Sequence, residues 1–254
     1  IGEFTILDMM KTLIKFSIFI FLFYGCGEDG KGTFNIDDDN VHVVYENAYI
    51  RESYDDDEKI PITGKVIGYH ENGNLKTELI FENGKMNGVQ KWWHENGHIS
   101  CEQNWKNGKE NGLFRYWNLK GDITTRSGYK NGMKHGIYKH WHENGKIGSL
   151  YNYRNGKLDG LSQDWYDDGQ INTILHYQNG EKHGTYRQWY QDGKKMVELH
   201  YRNNRRHGKE KYWYSISYME REYRNGSVIS EECWFAYGGT VQERCYCDEI
   251  PYLN

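Results

Sequence analysis

Hydrophobic and polar positions alternate along most of this chain. Leu75, Thr77, Leu79 and Phe81 fall on one side of a short segment, with Lys76, Glu78 and Glu82 on the other. The pattern returns as Ile99, Cys101, Gln103 and Trp105 against Glu102, Asn104 and Lys106, and again as Ile147, Ser149, Tyr151 and Tyr153. A period of two with one greasy side predicts half-buried antiparallel strands, because successive side chains point to opposite faces. A second set of segments reads aliphatic, basic, aromatic: Val89-Lys91-Trp93, Leu113-Arg115-Trp117, Ile137-Lys139-Trp141. Asn-Gly pairs begin at Asn83, Asn107, Asn131, Asn155 and Asn179, with Asn203-Asn204 in the same register. A second turn series begins at Asn72, Asn96, Lys120, Asn144, Asp168 and Asp192, each before a glycine. Asn-Gly predicts tight hairpins, since a type I′ turn needs positive φ at both central residues.

These signals share one period of 24 residues. A glycine recurs at Gly64, Gly88, Gly112, Gly136, Gly160, Gly184 and Gly208, read here as the repeat turn glycines. An aromatic recurs at Tyr69, Trp93, Trp117, Trp141, Trp165, Trp189 and Trp213. Each repeat is therefore expected to be one hairpin. A lone hairpin is marginal in water, whereas stacked hairpins bury a continuous seam. The predicted fold is all-β: an elongated single-layer antiparallel sheet of tandem 24-residue hairpins. The expected organisation has an upstream segment and leader at 1–25, an acidic flexible tether at 26–40 and a degenerate N-terminal cap at 41–63. The repeat array follows at 64–237, then an irregular C-terminal cap at 238–254.

Composition narrows the class. Aromatics make up 16% of 254 residues, with 22 tyrosines, while the AVILMFWYC set reaches only 37%. That is too aromatic for disorder and too poor in aliphatics for a thick core. Charge is uneven: residues 26–63 hold 3 basic and 11 acidic side chains, whereas residues 64–229 hold 26 Lys and Arg against 18 Asp and Glu. This modest cationic surplus falls short of a nucleic-acid signature, and no nucleic acid is expected as a partner.

The N-terminal region suggests an address. Lys11 and Lys15 precede the apolar run Phe16 to Tyr24, and Gly25-Cys26 follows. The run is too short to span a bilayer permanently but fits a secretory leader. A cysteine after a small residue resembles a bacterial lipobox, which implies acylation of Cys26, a membrane anchor and a place in the bacterial cell envelope.

Trp93-His94-Glu95-Asn96-Gly97, Trp141-His142-Glu143-Asn144-Gly145 and Tyr129 to Gly136 resemble MORN repeats of the bacterial YwqK-like type. The resemblance covers about residues 64–229. It implies a single-layer hairpin ribbon used for scaffolding and for contact with a protein, glycan or lipid headgroup. Some proteins of the YwqK type are labelled antitoxins, which gives the alternative reading.

Candidate chemistry is sparse. The tryptophan column Trp93, Trp117, Trp141, Trp165, Trp189 and Trp213 is either structural, one ring per hairpin, or a ligand platform shared with Lys91, Arg115, Lys139 and Arg187. His140 and His142 lie two apart, on one strand face, but other repeats lack the pair, so no metal site is expected. Of the five cysteines, Cys101 falls in an apolar column, and Cys233 with Cys245 or Cys247 could staple the C-terminal cap. No nucleophile elbow, phosphate loop or kinase motif is present, so neither catalysis nor a cofactor is expected.

Overall fold

The computed structural model describes residues 31–38, 41–44, 47–50, 60–214, 217–237 and 240–245. The expected leader, Cys26 and Cys247 lie outside the described residues. All described secondary structure is β, and the chain divides into two compact units, residues 1–121 and 122–254.

Unit 1 begins with β1 (Lys31–Asn35), β2 (Val41–Val44), β3 (Asn47–Ile50) and β4 (Ile60–Pro61). Its repeats supply β5 (Thr63–Tyr69), β6 (Leu75–Glu82), β7 (Lys85–Met86), β8 (Gly88–Trp93), β9 (Ile99–Lys106) and β10 (Lys109–Trp117). Unit 2 opens with β11 (Ile123–Lys130), β12 (Met133–Lys134), β13 (Gly136–Trp141), β14 (Ile147–Arg154), β15 (Lys157–Leu158) and β16 (Gly160–Trp165). It continues through β17 (Ile171–Gln178), β18 (Glu181–Trp189), β19 (Lys195–Arg202), β20 (Arg205–Arg206) and β21 (Gly208–Trp213). The last strands are β22 (Ser217–Arg224), β23 (Ser227–Tyr237) and β24 (Thr240–Cys245). Repeat strands pair antiparallel with their sequence neighbours, as in β5–β6, β13–β14 and β18–β19.

The Asn-Gly turns have the expected geometry. Asn83 and Gly84 have φ of 49° and 74°, and each later pair, including Asn203-Asn204 and Asn225-Gly226, is also positive at both residues. The second series is different. At Asn72-Gly73 only glycine is positive, and His70 N donates to Asn74 O at 2.8 Å across a wider loop. This loop also shifts the register by one residue, as between Trp92 and Trp93.

The repeat glycines sit elsewhere than predicted. Gly88, Gly136, Gly160 and Gly208 each begin a strand segment, and Gly184 lies inside β18. They occupy a bulge within the second arm of each hairpin, not a hairpin turn. Asn87 N donates to Ile80 O at 2.9 Å, the residue after it is Gly88 at φ 94°, and the arm is thereby split into β7 and β8. A bulge inserts one extra residue and needs positive φ there, which glycine supplies without a Cβ clash.

Two further segments differ from expectation. Lys31–Asn35, inside the stretch predicted as a tether, is strand β1 and pairs in parallel with β5, with Phe34 beside Val66. Phe34 is buried with Val41, Ala48, Ile62, Val66, Leu79, Phe81 and Met86 in one apolar cluster. Within the expected irregular cap, Thr240–Cys245 forms β24 against β23, and the register sets Cys233 opposite Cys245.

Register and alternation define two faces in each unit. The inner face of unit 1 carries Val66, Leu79, Gln90, Cys101 and Phe114, all buried. The first-arm column Thr77, Leu79, Phe81 is buried as the alternation predicts. In the second arm, however, the residues turned inward are Gln90, Phe114, Tyr138, Ser162, Tyr186 and Glu210. The aliphatic-basic-aromatic set lies on the opposite, tryptophan face.

Candidate functional site

The predicted platform residues lie on the tryptophan face of their own unit, Lys91, Trp93, Arg115 and Trp117 in unit 1 and Lys139, Trp141, Trp165, Arg187, Trp189 and Trp213 in unit 2. All six rings, Trp93 to Trp213, are half-buried. They do not stack on one another among the described residues. Within each unit, neighbours in the column are two strand spacings apart, about 10 Å, beyond ring-stacking range. In the register Trp93, Trp141, Trp165 and Trp189 stand opposite the first residue of a first arm, Ile99, Ile147, Ile171 and Lys195. Lys195 Nζ also lies 5.3 Å from the Trp213 ring centroid.

The cations beside them are mostly spoken for. Lys91 lies between Glu78 and Glu102 in the register, Arg115 meets Glu102 at 3.1 Å, and Arg187 meets Glu198 at 2.9 Å. The Arg187 guanidinium, more than Lys195, holds the Glu198 carboxyl below the usual range. Lys139 is the exception, facing Leu150 and Arg126. An alternating charge ladder across strands offers an anion little net attraction.

Most of the histidines hydrogen-bond to the backbone. His70, His94 and His142 each place Nε2 on the carbonyl of the tryptophan one repeat later, Trp93, Trp117 and Trp165, at 2.9–3.0 Å. Tyr166 and Tyr190 continue that ladder with their hydroxyls, donating to Trp189 O and Trp213 O. His200 Nδ1 lies 3.0 Å from Lys209 O, where the bulge frees a carbonyl, and Asn104 and Asn152 do the same for Leu113 and Leu161. His183 meets Asn203 of the next turn, Asn203-Asn204, as Asp159 meets Asn179 N. The His140 and His142 rings stand edge to face at 6.0 Å, and no group of three metal-ligating side chains occurs among the described residues. Cys101 is buried, which pushes its thiol up to about 11 and suits a packing role.

The inner face of unit 2 carries a surface that the sequence reading did not single out. Tyr129, Tyr153, Tyr177 and Tyr201 recur at 24 residues, interleaved with Tyr138, Tyr151 and Tyr186; all seven are half-buried. Tyr138 stacks on Tyr151 at 5.5 Å, Lys134 Nζ lies 5.1 Å from both the Tyr138 and Tyr153 rings, and Lys182 covers Tyr201 at 5.2 Å. In unit 1 the same face is taken up by the cluster that includes Phe34, Val41 and Ala48. Unit 2 buries Leu175, Val197, Leu199, Met219, Tyr223 and Cys233, and the seven tyrosines stay half-buried. The strict spacing of its tyrosines was a readable signal, obscured because aromatic residues also fill the opposite face.

Asp164 lies at the centre of this tyrosine face. Its Oδ1 accepts from Ser149 Oγ at 2.8 Å and from the Tyr151 hydroxyl, and its Oδ2 from Thr173 Oγ1 at 2.9 Å. Burial and then the hydrogen bond to Asp164 push the Tyr151 phenol up to about 12. Tyr177 is raised by burial and by Asp164, and Tyr186 by burial, Tyr201 and Asp164. The carboxylate is thus close to three phenols. On the opposite face a shallow cavity of about 410 Å³ is lined by His183, His200, His207, Arg202 and Lys209.

An open array of bulged β-hairpins, bonded repeat to repeat through turn and strand-end carbonyls, defines a hairpin-repeat protein. The family model described as the MORN repeat variant matches residues 62–83, 86–107, 134–155, 158–179 and 182–203, so the chain carries tandem repeats of that variant. Each matched stretch is one hairpin closing on an Asn-led turn. No curated protein matches the chain. Repeats of this kind are associated with binding and scaffolding.

Proposed function

We propose that this protein is a non-catalytic binding or scaffolding module whose contact surface is the tyrosine face of unit 2. The observation that carries the reading is the difference between the two inner faces. Unit 1 packs Phe34, Val41 and Ala48 into an apolar cluster, while unit 2 keeps seven tyrosines half-buried beside the buried Leu175, Val197 and Leu199. Large amphipathic rings with hydroxyl tips give contact area at low entropic cost, which is why tyrosine is favoured at recognition surfaces. A protein, glycan or lipid headgroup of the cell envelope is the partner class. Acylation of Cys26 would hold the module at the membrane, where two or more chains give stable anchoring.

Two measurements test this. Envelope extract passed over the native chain and over a Tyr177→Ser, Tyr186→Ser variant should give a component retained only by the native chain, with unchanged circular dichroism. Equal retention by both removes the tyrosine face from the function. Separately, Cys26→Ala should shift the protein from the membrane to the soluble fraction; unchanged partition removes the anchor.

A further inference from the structure

One position on the tyrosine face breaks the repeat pattern. The counterparts of Asp164 at 24-residue intervals are Trp92, Tyr116, His140, Gln188 and Tyr212, so a carboxylate occurs here alone. Its neighbour Ser162 is equally out of pattern. Gln90, Phe114, Tyr138, Tyr186 and Glu210 occupy the matching places with larger side chains. Ser162 is 6% exposed, and its Oγ has no hydrogen-bond partner. A missing ring, an orphaned hydroxyl and a lone acid therefore coincide on adjacent inward positions of β16.

The electrostatics of Asp164 are unusual for this protein. Glu78, Glu102, Glu198, Glu210 and Glu220 each pair with a lysine or arginine. Asp164 makes no ion pair among the described residues; its three partners are the neutral hydroxyls of Ser149, Tyr151 and Thr173. The nearby cations Lys134 and Lys182 are held over Tyr138, Tyr153 and Tyr201. A carboxylate offers about four acceptor positions, of which three are filled. Withdrawing such a charge from water without a counter-ion is costly. Tyr151, Tyr177 and Tyr186 lie near the carboxylate, and phenol rings have electron-rich faces that favour a cation and repel an anion. A hard metal ion needs several charged or carbonyl oxygens, and this site supplies one carboxylate.

We propose that Asp164, with Tyr151, Tyr177, Tyr186 and Ser162, forms a binding site for an alkylammonium group. The ligand is a free amine or a quaternary ammonium head, its charge on the carboxylate and its alkyl shell against the rings. This rests on the reading of the tyrosine face as the contact surface and names the chemistry that face selects.

The test is isothermal titration of the full chain with choline, with n-butylammonium and with 3,3-dimethyl-1-butanol, the uncharged isostere of choline. Saturable binding of either cation, weakened at least about tenfold by Asp164→Asn and by omission of the charge in the isostere, is the expected result. Asp164→Asn keeps a side chain of the same shape. Ser162→Tyr, which restores the ring found in other repeats, should also abolish binding while leaving Asp164 intact. Choline alone binding assigns a quaternary head, and n-butylammonium alone assigns a primary amine; either supports the site. No saturable binding of either cation, equal binding by Asp164→Asn, or equal binding of the uncharged isostere overturns it. In those cases retention of an envelope component by the native chain, lost in Tyr177→Ser, Tyr186→Ser, would leave the broader reading standing.

Discussion

Single residues in this chain are constrained mainly by backbone geometry. Gly128 on β11 lies opposite the bulge, and a Cβ there would sit 2.2 Å from His135 O. No side chain can move aside, so Gly128→Ala should cost about 3 kcal/mol or more, as overpacking against fixed backbone does. Gly132 has φ 82° but open space around it, so Gly132→Ala should cost only the left-handed penalty of about 1–2 kcal/mol. Urea denaturation of the two variants checks the order. Glu210 makes a different prediction. It is fully buried with Arg206 Nη1 at 3.4 Å and the Tyr212 hydroxyl at 3.0 Å, yet burial outweighs Arg206 and raises its carboxyl above the ordinary 4.5. A raised folded value means the fold favours the neutral acid. Its contribution is complete below pH 4.5 and is lost as pH rises through the folded value. Glu210→Gln should therefore flatten the stability curve in the window just above pH 4.5, measured by thermal melts across pH. An unchanged slope would mean the charged pair with Arg206 is the state the fold prefers.

At the scale of strands and turns, much was legible in the sequence because two independent signals agreed. Asn-Gly pairs and period-two alternation both repeat every 24 residues, so hairpin positions and the first-arm inner column could be read directly. The second arm is harder to read for a physical reason. Its inward residues, from Gln90 and Phe114 to Ser162 and Glu210, mix polar, aromatic and small side chains, whereas Val89-Lys91-Trp93 looks greasier but faces outward. Glycine at positive φ also reads alike in a turn and in a bulge, so the spacing of Gly88 and its counterparts does not by itself tell the two apart. Strand β1 depends on a distant contact between Phe34 and Val66 that no local pattern announces. The histidines at strand ends are ambiguous for a similar reason: the partners of His70, His94 and His142 lie 23 residues away. His94→Ala removes the bond to Trp117 O, and Tyr166→Phe removes the one to Trp189 O. Each should cost about 1 kcal/mol. The two sites are three repeats apart, so the double variant should lose the sum within about 0.5 kcal/mol. A double-mutant cycle in urea measures it, and strong coupling would contradict a structure held together neighbour by neighbour.

At the scale of the whole molecule, that neighbour-by-neighbour bonding makes the repeat a removable part. Turn amides reach back one repeat, Gly156 N to Lys134 O and Gly180 N to Leu158 O, while strand-end side chains reach forward one repeat, His142 to Trp165 O. Deleting residues 160–183 would join His142 to Trp189 O and Asn204 N to Leu158 O with turn types, bulges and faces all in phase. The shortened chain should fold, with a denaturant slope lower by about a tenth, in keeping with the smaller surface buried. It should also lose Asp164 and Ser162, and with them the binding of choline or n-butylammonium. Deleting residues 160–171 is a harsher change although it removes half as many residues. It sets two first arms side by side, so the Asn179-Gly180 turn falls where a wide loop is needed and the tyrosine column loses its register. That variant should expose its aromatic rings and aggregate or bind a hydrophobic dye, while the 24-residue deletion stays monodisperse. If both deletions behaved alike, the 24-residue hairpin would not be the cooperative unit of this fold.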